Sequence, residues 1–191
     1  MKVYIKNMVC NLCCFAVINL LKSLGLQYST VNLGEVDFAN YYGDKLPNDS
    51  QKLLFDELDV LGFSVLSDKK SILIETIKIS CLDYLKQMEN PERENLSKHI
   101  TNTIPLEYNY LSNIFSVVEG ITIEQYFIRL RVEQVKEFLV YDELTTSEIS
   151  FQLGYSSVAH LSAQFKKITG LTPGHFRLLK NEKLRSSLDK L

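Results

Sequence analysis

Apolar and polar positions change period along the chain, and the change divides it in two. Lys2–Lys6 alternates like a strand, Met8–Cys13 reads as a loop, and Cys13–Gly25 predicts a helix with Phe15, Ile18, Leu21 and Leu24 inward. Leu26–Leu33 and Glu35–Phe38 read as strands. After the polar break GDKLPNDS, Ser50–Leu61 predicts a helix with Leu53, Leu54, Leu58 and Leu61 inward, and Phe63–Leu66 a closing strand. The order βαββαβ is that of a ferredoxin-like split βαβ unit, an α+β domain over residues 1–68. Asp68-Lys69-Lys70 marks its expected boundary.

Beyond that boundary the period is helical. Residues 71–89 form one amphipathic stretch. Leu96–Thr103 predicts a short helix broken by Pro105, and a second helix buries Leu111, Phe115 and Val118 before Gly120 stops it. Its other face carries Asn109, Ser112, Asn113 and Ser116 at i, i+3, i+4 and i+7. Asn suits bidentate pairing with adenine, and Ser serves either base-pair type, although such a stripe is most often a solvated polar face. Residues 121–140 contain no Gly or Pro and predict a rod of about 30 Å. Ile128, Val132, Val135 and Leu139 line one stripe of it, widened by Ile123, Phe127, Leu130 and Phe138.

A second pair of short helices follows. Glu148–Leu153 is too short to stand alone, Gly154 sits where a left-handed turn residue is wanted, and Tyr155 can plug the interhelical angle. The next segment sets Val158, Leu161, Phe165 and Ile168 inward. Ser157, Ala159, Ser162, Ala163, Lys166 and Lys167 are left outward, small and polar or basic, as suits side chains sliding along base edges in a major groove.

This second pair closely resembles the second helix-turn-helix of the AraC family of bacterial transcription regulators. The resemblance rests on Gly154-Tyr155, on Leu161 with Phe165-Lys166-Lys167 and Thr169-Gly170, and on Thr172-Pro173 with Phe176-Arg177. The family's second motif often carries a basic residue where Ala163 stands, so this helix is expected to grip phosphate more than it reads bases. The family has two such motifs joined by a linker helix, and Arg131, Val135 and Phe138-Leu139 match the linker's pattern. The resemblance covers residues 71–180 and implies an all-α double helix-turn-helix domain bound to double-stranded DNA. Residues 181–191 read as a polar tail. One turn of B-DNA is about 34 Å, so the rod can hold two reading helices in successive major grooves.

Charge modifies this picture. The chain has 21 Lys+Arg and 23 Asp+Glu, net −2. Residues 1–70 carry net −1, residues 71–143 net −5, and residues 144–191 net +4. Binding to phosphate therefore concentrates in the second motif and the tail, and the acidic 89–94 stretch is expected to face away from DNA.

The chemistry of the first 68 residues lies in Met8-Val9-Cys10-Asn11-Leu12-Cys13, an MxCxxC between a strand and a helix. Here the sequence resembles the heavy-metal-associated domain of copper chaperones and soft-metal transporters, which also has a Gly-aromatic pair before its last strand, matched by Gly62-Phe63. It departs from that family at Asn7, where Gly is usual, at Val9, and in the extra Cys14. Two thiolates at a helix N-terminus can converge on one soft ion, with the helix dipole lowering their pKa. Cys10 and Cys13 suit two-coordinate Cu(I), whereas Zn(II) wants four ligands and only Cys14 is close by to add one. CxxC pairs also occur as buried small hydrophobes, and a redox-sensing disulfide is a further reading. Thioredoxin-type catalysis is disfavoured, because the only Pro of this half, Pro47, lies in a polar turn. Cys81 reads as a core residue.

No Ser/His/Asp set, paired acidic site or phosphate loop is visible, so no enzyme is expected. His99, His160 and His175 are scattered. No run reaches the roughly 18–20 apolar residues that span a membrane. Asn11 and Asn19 interrupt the one signal-like stretch, so a cytoplasmic location is expected. The combined expectation is a sequence-specific transcription regulator responsive to a soft metal or thiol redox state. The alternative is a metal-trafficking or thiol-redox protein with a C-terminal interaction module. AraC-type proteins often dimerise through their other domain, so a homodimer is compatible with the resemblance.

Overall fold

The computed structural model describes residues 1–179 apart from 44, 91 and 93; the polar tail 181–191 lies outside the described residues. The chain divides into two compact units, Met1–Ile79 and Ser80–Leu191.

In the first unit β1 (Lys2–Lys6) is followed by α1 (Asn11–Ser23), β2 (Thr30–Asn32), β3 (Glu35–Asp37), the single turn α2 (Ala39–Tyr42), α3 (Asn48–Val60) and β4 (Ser64–Leu66). The four strands form one antiparallel sheet in the order β2-β3-β1-β4, with Val3 opposite Val36 and Ile5 opposite Val65. Alternation does the sorting: Val3 and Ile5 of β1 and Val36 of β3 are buried, while Lys2 and Lys6 are exposed. Val17, Leu21, Leu54 and Leu58 of the two long helices close the same core. The β2–β3 turn needs Gly34, whose φ is +75° and whose missing Cβ would lie 2.2 Å from Ile79 Cδ1.

Helix faces in this unit differ from the sequence expectation. Phe15 is 60 % exposed, and the inward stripe runs through Val17 and Leu21, flanked by half-buried Cys13, Leu20 and Leu24. Almost every residue from Leu12 to Leu21 is apolar, so periodicity alone cannot choose the buried face. Leu53 and Leu61 are likewise largely exposed, leaving Leu54 and Leu58 to pack. Only Thr30–Asn32 of the expected strand 26–33 joins the sheet.

Helix α4 (Lys69–Lys86) starts at the expected boundary, with the Ser71 amide donating to Asp68 Oδ1 at 2.8 Å, but the division between units falls inside it. The second unit continues with α5 (Leu96–Thr103), α6 (Tyr108–Glu119), α7 (Ile123–Tyr141), α8 (Thr146–Gln152), α9 (Val158–Thr169) and α10 (Pro173–Leu179). Helix α7 is its axis and packs against α6, α8, α9 and α10. Enclosure on several sides buries more than one stripe of α7: Tyr126, Arg131 and the Lys136–Glu133 ion pair are buried with Leu130, Val132, Val135 and Leu139, while Ile128 and Phe138 are half-buried. Among the described residues no helix is long and apolar enough to cross a membrane.

Candidate nucleic-acid interface and thiol pair

Two segments of the second unit are built alike, fifty residues apart. Asn95 and Thr145 cap α5 and α8, each side chain accepting from the amide three residues on. Helices α6 and α9 are both 12 residues long and both end on a left-handed glycine, Gly120 at φ +71° and Gly170 at φ +77°. Leu111 and Phe115 are buried in the first, Leu161 and Phe165 in the second. Each Phe meets an aromatic ring edge-on: Phe115 with Tyr126 at 5.5 Å and Phe165 with Phe176 at 5.4 Å. Val118, Val158 and Ile168, expected inward, are 40–52 % exposed, because at the helix ends the apolar stripe has rotated off the contact line.

The same register pairs the outward residues. Asn109, Ser112, Asn113 and Ser116 of α6 correspond to Ala159, Ser162, Ala163 and Lys166 of α9. Asn109 and Asn113 are exposed, and Ser112 is half-buried. Ser116 spends its proton on its own helix, donating to the Ser112 carbonyl at 2.8 Å, so toward solvent it can only accept. On α9, Ala159, Ala163, Lys166 and Lys167 are exposed and Ser162 is half-buried. Ser157 is the N-cap: its Oγ accepts the His160 amide at 3.1 Å, which leaves its hydroxyl hydrogen to donate elsewhere. Two residues of the α6 face escaped the sequence reading, Tyr110 at 54 % and Val117 at 78 % exposure. Their spacing from Asn113 (i−3 and i+4) was the available signal, but aromatic and β-branched residues read as core.

Both motifs are anchored to α7. Tyr108 donates its hydroxyl to Glu124 Oε1, joining the first turns of α6 and α7; burial and then this bond push the phenol well above its ordinary pKa. Arg131 donates from Nη2 to the Leu153 carbonyl at 2.7 Å, and its guanidinium lies 3.7 Å from the Tyr155 ring centre. Gly154, at φ +62°, makes the turn that places this ring. Arg177 of α10 closes the far side on the Leu144 carbonyl at 2.5 Å.

A family model described as a helix-turn-helix domain matches residues 101–178. The C-terminal domain of AraT, a response regulator from Geobacillus stearothermophilus, superposes with a TM-score of 0.51 at 21 % identity, over 59 % of this chain and 88 % of that domain. Residues 101–178 thus match a helix-turn-helix domain in sequence, and the AraT domain shares the fold. Among curated relatives, the transcriptional activator RhaR of Salmonella schwarzengrund is 26 % identical over 174 residues, which cover 85 % of this chain and 58 % of RhaR. The regulator YtdP of Bacillus subtilis is 24 % identical over 68 % of this chain and 19 % of its own length. The chain thus spans less than two thirds of the length of these relatives.

The cysteines belong to the first unit. Cys10 is the N-cap of α1, and its sulfur lies 3.4 Å from that of Cys13. Met8 is fully buried beneath the loop. Asn7 has φ +74°, a left-handed position at which Asn is the usual substitute for Gly, and its Nδ2 donates to the Gly62 carbonyl at 3.0 Å. One expectation is reversed. Burial, followed by the hydrogen bond that the Cys13 thiol shares with Cys10, pushes the Cys13 thiol up, so desolvation outweighs the backbone donors at the helix start. Cys14 is half-buried against the core, and among the described residues no three His, Cys, Asp or Glu side chains gather as a metal site. Cys10 and Cys13 together present two soft thiol donors side by side, a donor set that fits a two-coordinate soft ion. Cys81 is fully buried in α4, and burial pushes its thiol far up.

Proposed function

We propose that this chain is a sequence-specific, DNA-binding transcription regulator of the AraC type, and not an enzyme. The observation that carries the reading is the fifty-residue register: two helix pairs packed on one long helix present outward faces at equivalent positions. At 19 residues α7 is about 28 Å long, close to one turn of duplex, so both faces can enter successive major grooves. Asn109 and Asn113 supply donors and acceptors for base edges, and Lys166 and Lys167 supply charge for phosphates. Selection from a randomised duplex pool, followed by footprinting, tests this. One preferred sequence with two protected grooves is expected; equal affinity for every duplex would refute sequence-specific regulation.

The first unit is read as a ferredoxin-like, heavy-metal-associated-like domain, supported by its strand order and by MxCxxC at the start of α1. Cys10 and Cys13 would hold a Cu(I)-like ion, which would displace their protons. With Cys13 pushed up, that displacement weakens as pH falls. Binding alters DNA affinity only if the ion prefers one of two states of the protein. Cu(I) titration of wild type and of Cys10→Ser with Cys13→Ser tests the site. One ion per wild-type chain and none per double mutant is expected, and equal weak uptake by both would remove the site. DNA affinity measured with and without the ion then tests regulation.

A further inference from the structure

Val117 is 78 % exposed in the last turn of a helix that already buries Leu111 and Phe115. Folding gives no reason for it there. A β-branched residue is a mediocre helix former, and Lys or Glu would serve better at an exposed site. Its register partner in the second motif is Lys167, as a solvated position would suggest. On a helix, four residues return about 40° past a full turn, so Val117 and Asn109 flank Asn113 by equal angles on the outward arc. Tyr110, also exposed, borders the same side. The arc from Asn109 to Val117 carries no Lys, Arg, Asp or Glu.

A neutral face of this kind discriminates by shape and hydrogen bonding. An isopropyl group makes no hydrogen bond, and against the polar edge of guanine, adenine or cytosine it would strip water without replacing it. The one apolar feature of the major groove is the 5-methyl group of thymine. The rise of four residues is about 6 Å, within two base-pair steps of whatever Asn113 contacts.

Resting on the DNA-binding reading above, we propose that Val117 selects a thymine through its 5-methyl group, within two base pairs of the base read by Asn113. The first half-site then requires the methyl itself and not merely an A·T pair.

Replacing thymines of the selected duplex one at a time by uracil removes only the methyl group. With the full chain, one such replacement in the first half-site should weaken binding about fourfold, the value of one buried methyl-sized group. Val117→Ala should bind the thymine duplex about as weakly, and should bind thymine and uracil duplexes equally. Its salt dependence should match wild type, since no phosphate contact is lost. A duplex bound specifically but indifferent to every uracil would overturn the proposal and spare the DNA-binding reading. A methyl effect that persists in Val117→Ala would assign it to another side chain and also overturn the proposal. Failure to bind any duplex would sink both.

Discussion

Asn113 and Ala163 occupy the same place in two helices that are otherwise built alike. Around them the scaffold repeats Leu for Leu and Phe for Phe, and both helices stop on a left-handed glycine, although Ser157 caps α9 with its side chain and Glu107 makes no such bond at the start of α6. The outward residues do not repeat. Asn, Tyr, Ser and Val face out from α6; Ala, His and two Lys face out from α9. One scaffold thus carries two kinds of surface, because packing constrains only the inward arc and leaves the outward arc to its ligand. The first surface offers hydrogen bonds and one apolar group, which suits discrimination. The second offers charge, which suits affinity.

The equivalence of the scaffolds can be broken most severely at the rings. Phe115→Ala and Phe165→Ala each remove a fully buried ring with an aromatic neighbour, and each should cost about 3–5 kcal/mol. Denaturant melts should show two similar losses. A loss under about 1 kcal/mol for one of them would mean that the two motifs are not held in the same way.

A second break separates the motifs without touching either face. Gln134 lies near the middle of α7, half-buried, with Nε2 donating to Glu137 at 2.9 Å. Gln134→Pro should remove a helical hydrogen bond and kink the rod, at about 3 kcal/mol or more. A folded mutant should protect one groove where wild type protects two. An unchanged footprint would show that α7 does not set the spacing.

How far these features could be read from sequence depended on local markers. In the second unit local markers did more: Leu96–Thr103 was placed residue for residue and Gly120 ends α6 as expected, whereas α8 starts at Thr146, two residues before the expected Glu148, because the Thr145 side chain caps it. In the first unit the strand order was legible but helix faces were not. Leu12–Leu21 is nearly all apolar, and it is the sheet that selects Val17 and Leu21 over Phe15. The thiol pair was legible as a spacing, yet its electrostatics were not, since the burial that raises Cys13 is a property of the packed loop. Val117 and Tyr110 were missed because residue type alone says core, and only exposure says otherwise.

The smallest expected effects sharpen the comparison most, because they test division of labour directly. Asn113→Ala should cost about 1–3 kcal/mol on the best site and relax preference at one or two positions. It should leave the salt dependence unchanged, since an exposed amide carries no charge to release counterions. Lys166→Ala should do the reverse. It should weaken binding to specific and random duplexes alike and lower the slope of log affinity against log salt by about 0.9, the value of one phosphate contact. Lys166 sits in the last turn of α9, where its charge also opposes the helix dipole, so some stability goes with it. The thermal midpoint of each mutant must therefore be measured beside its binding. If Asn113→Ala changed the salt slope, or Lys166→Ala changed base preference, the two faces would share one role, and the contrast between Asn113 and Ala163 would have no functional meaning.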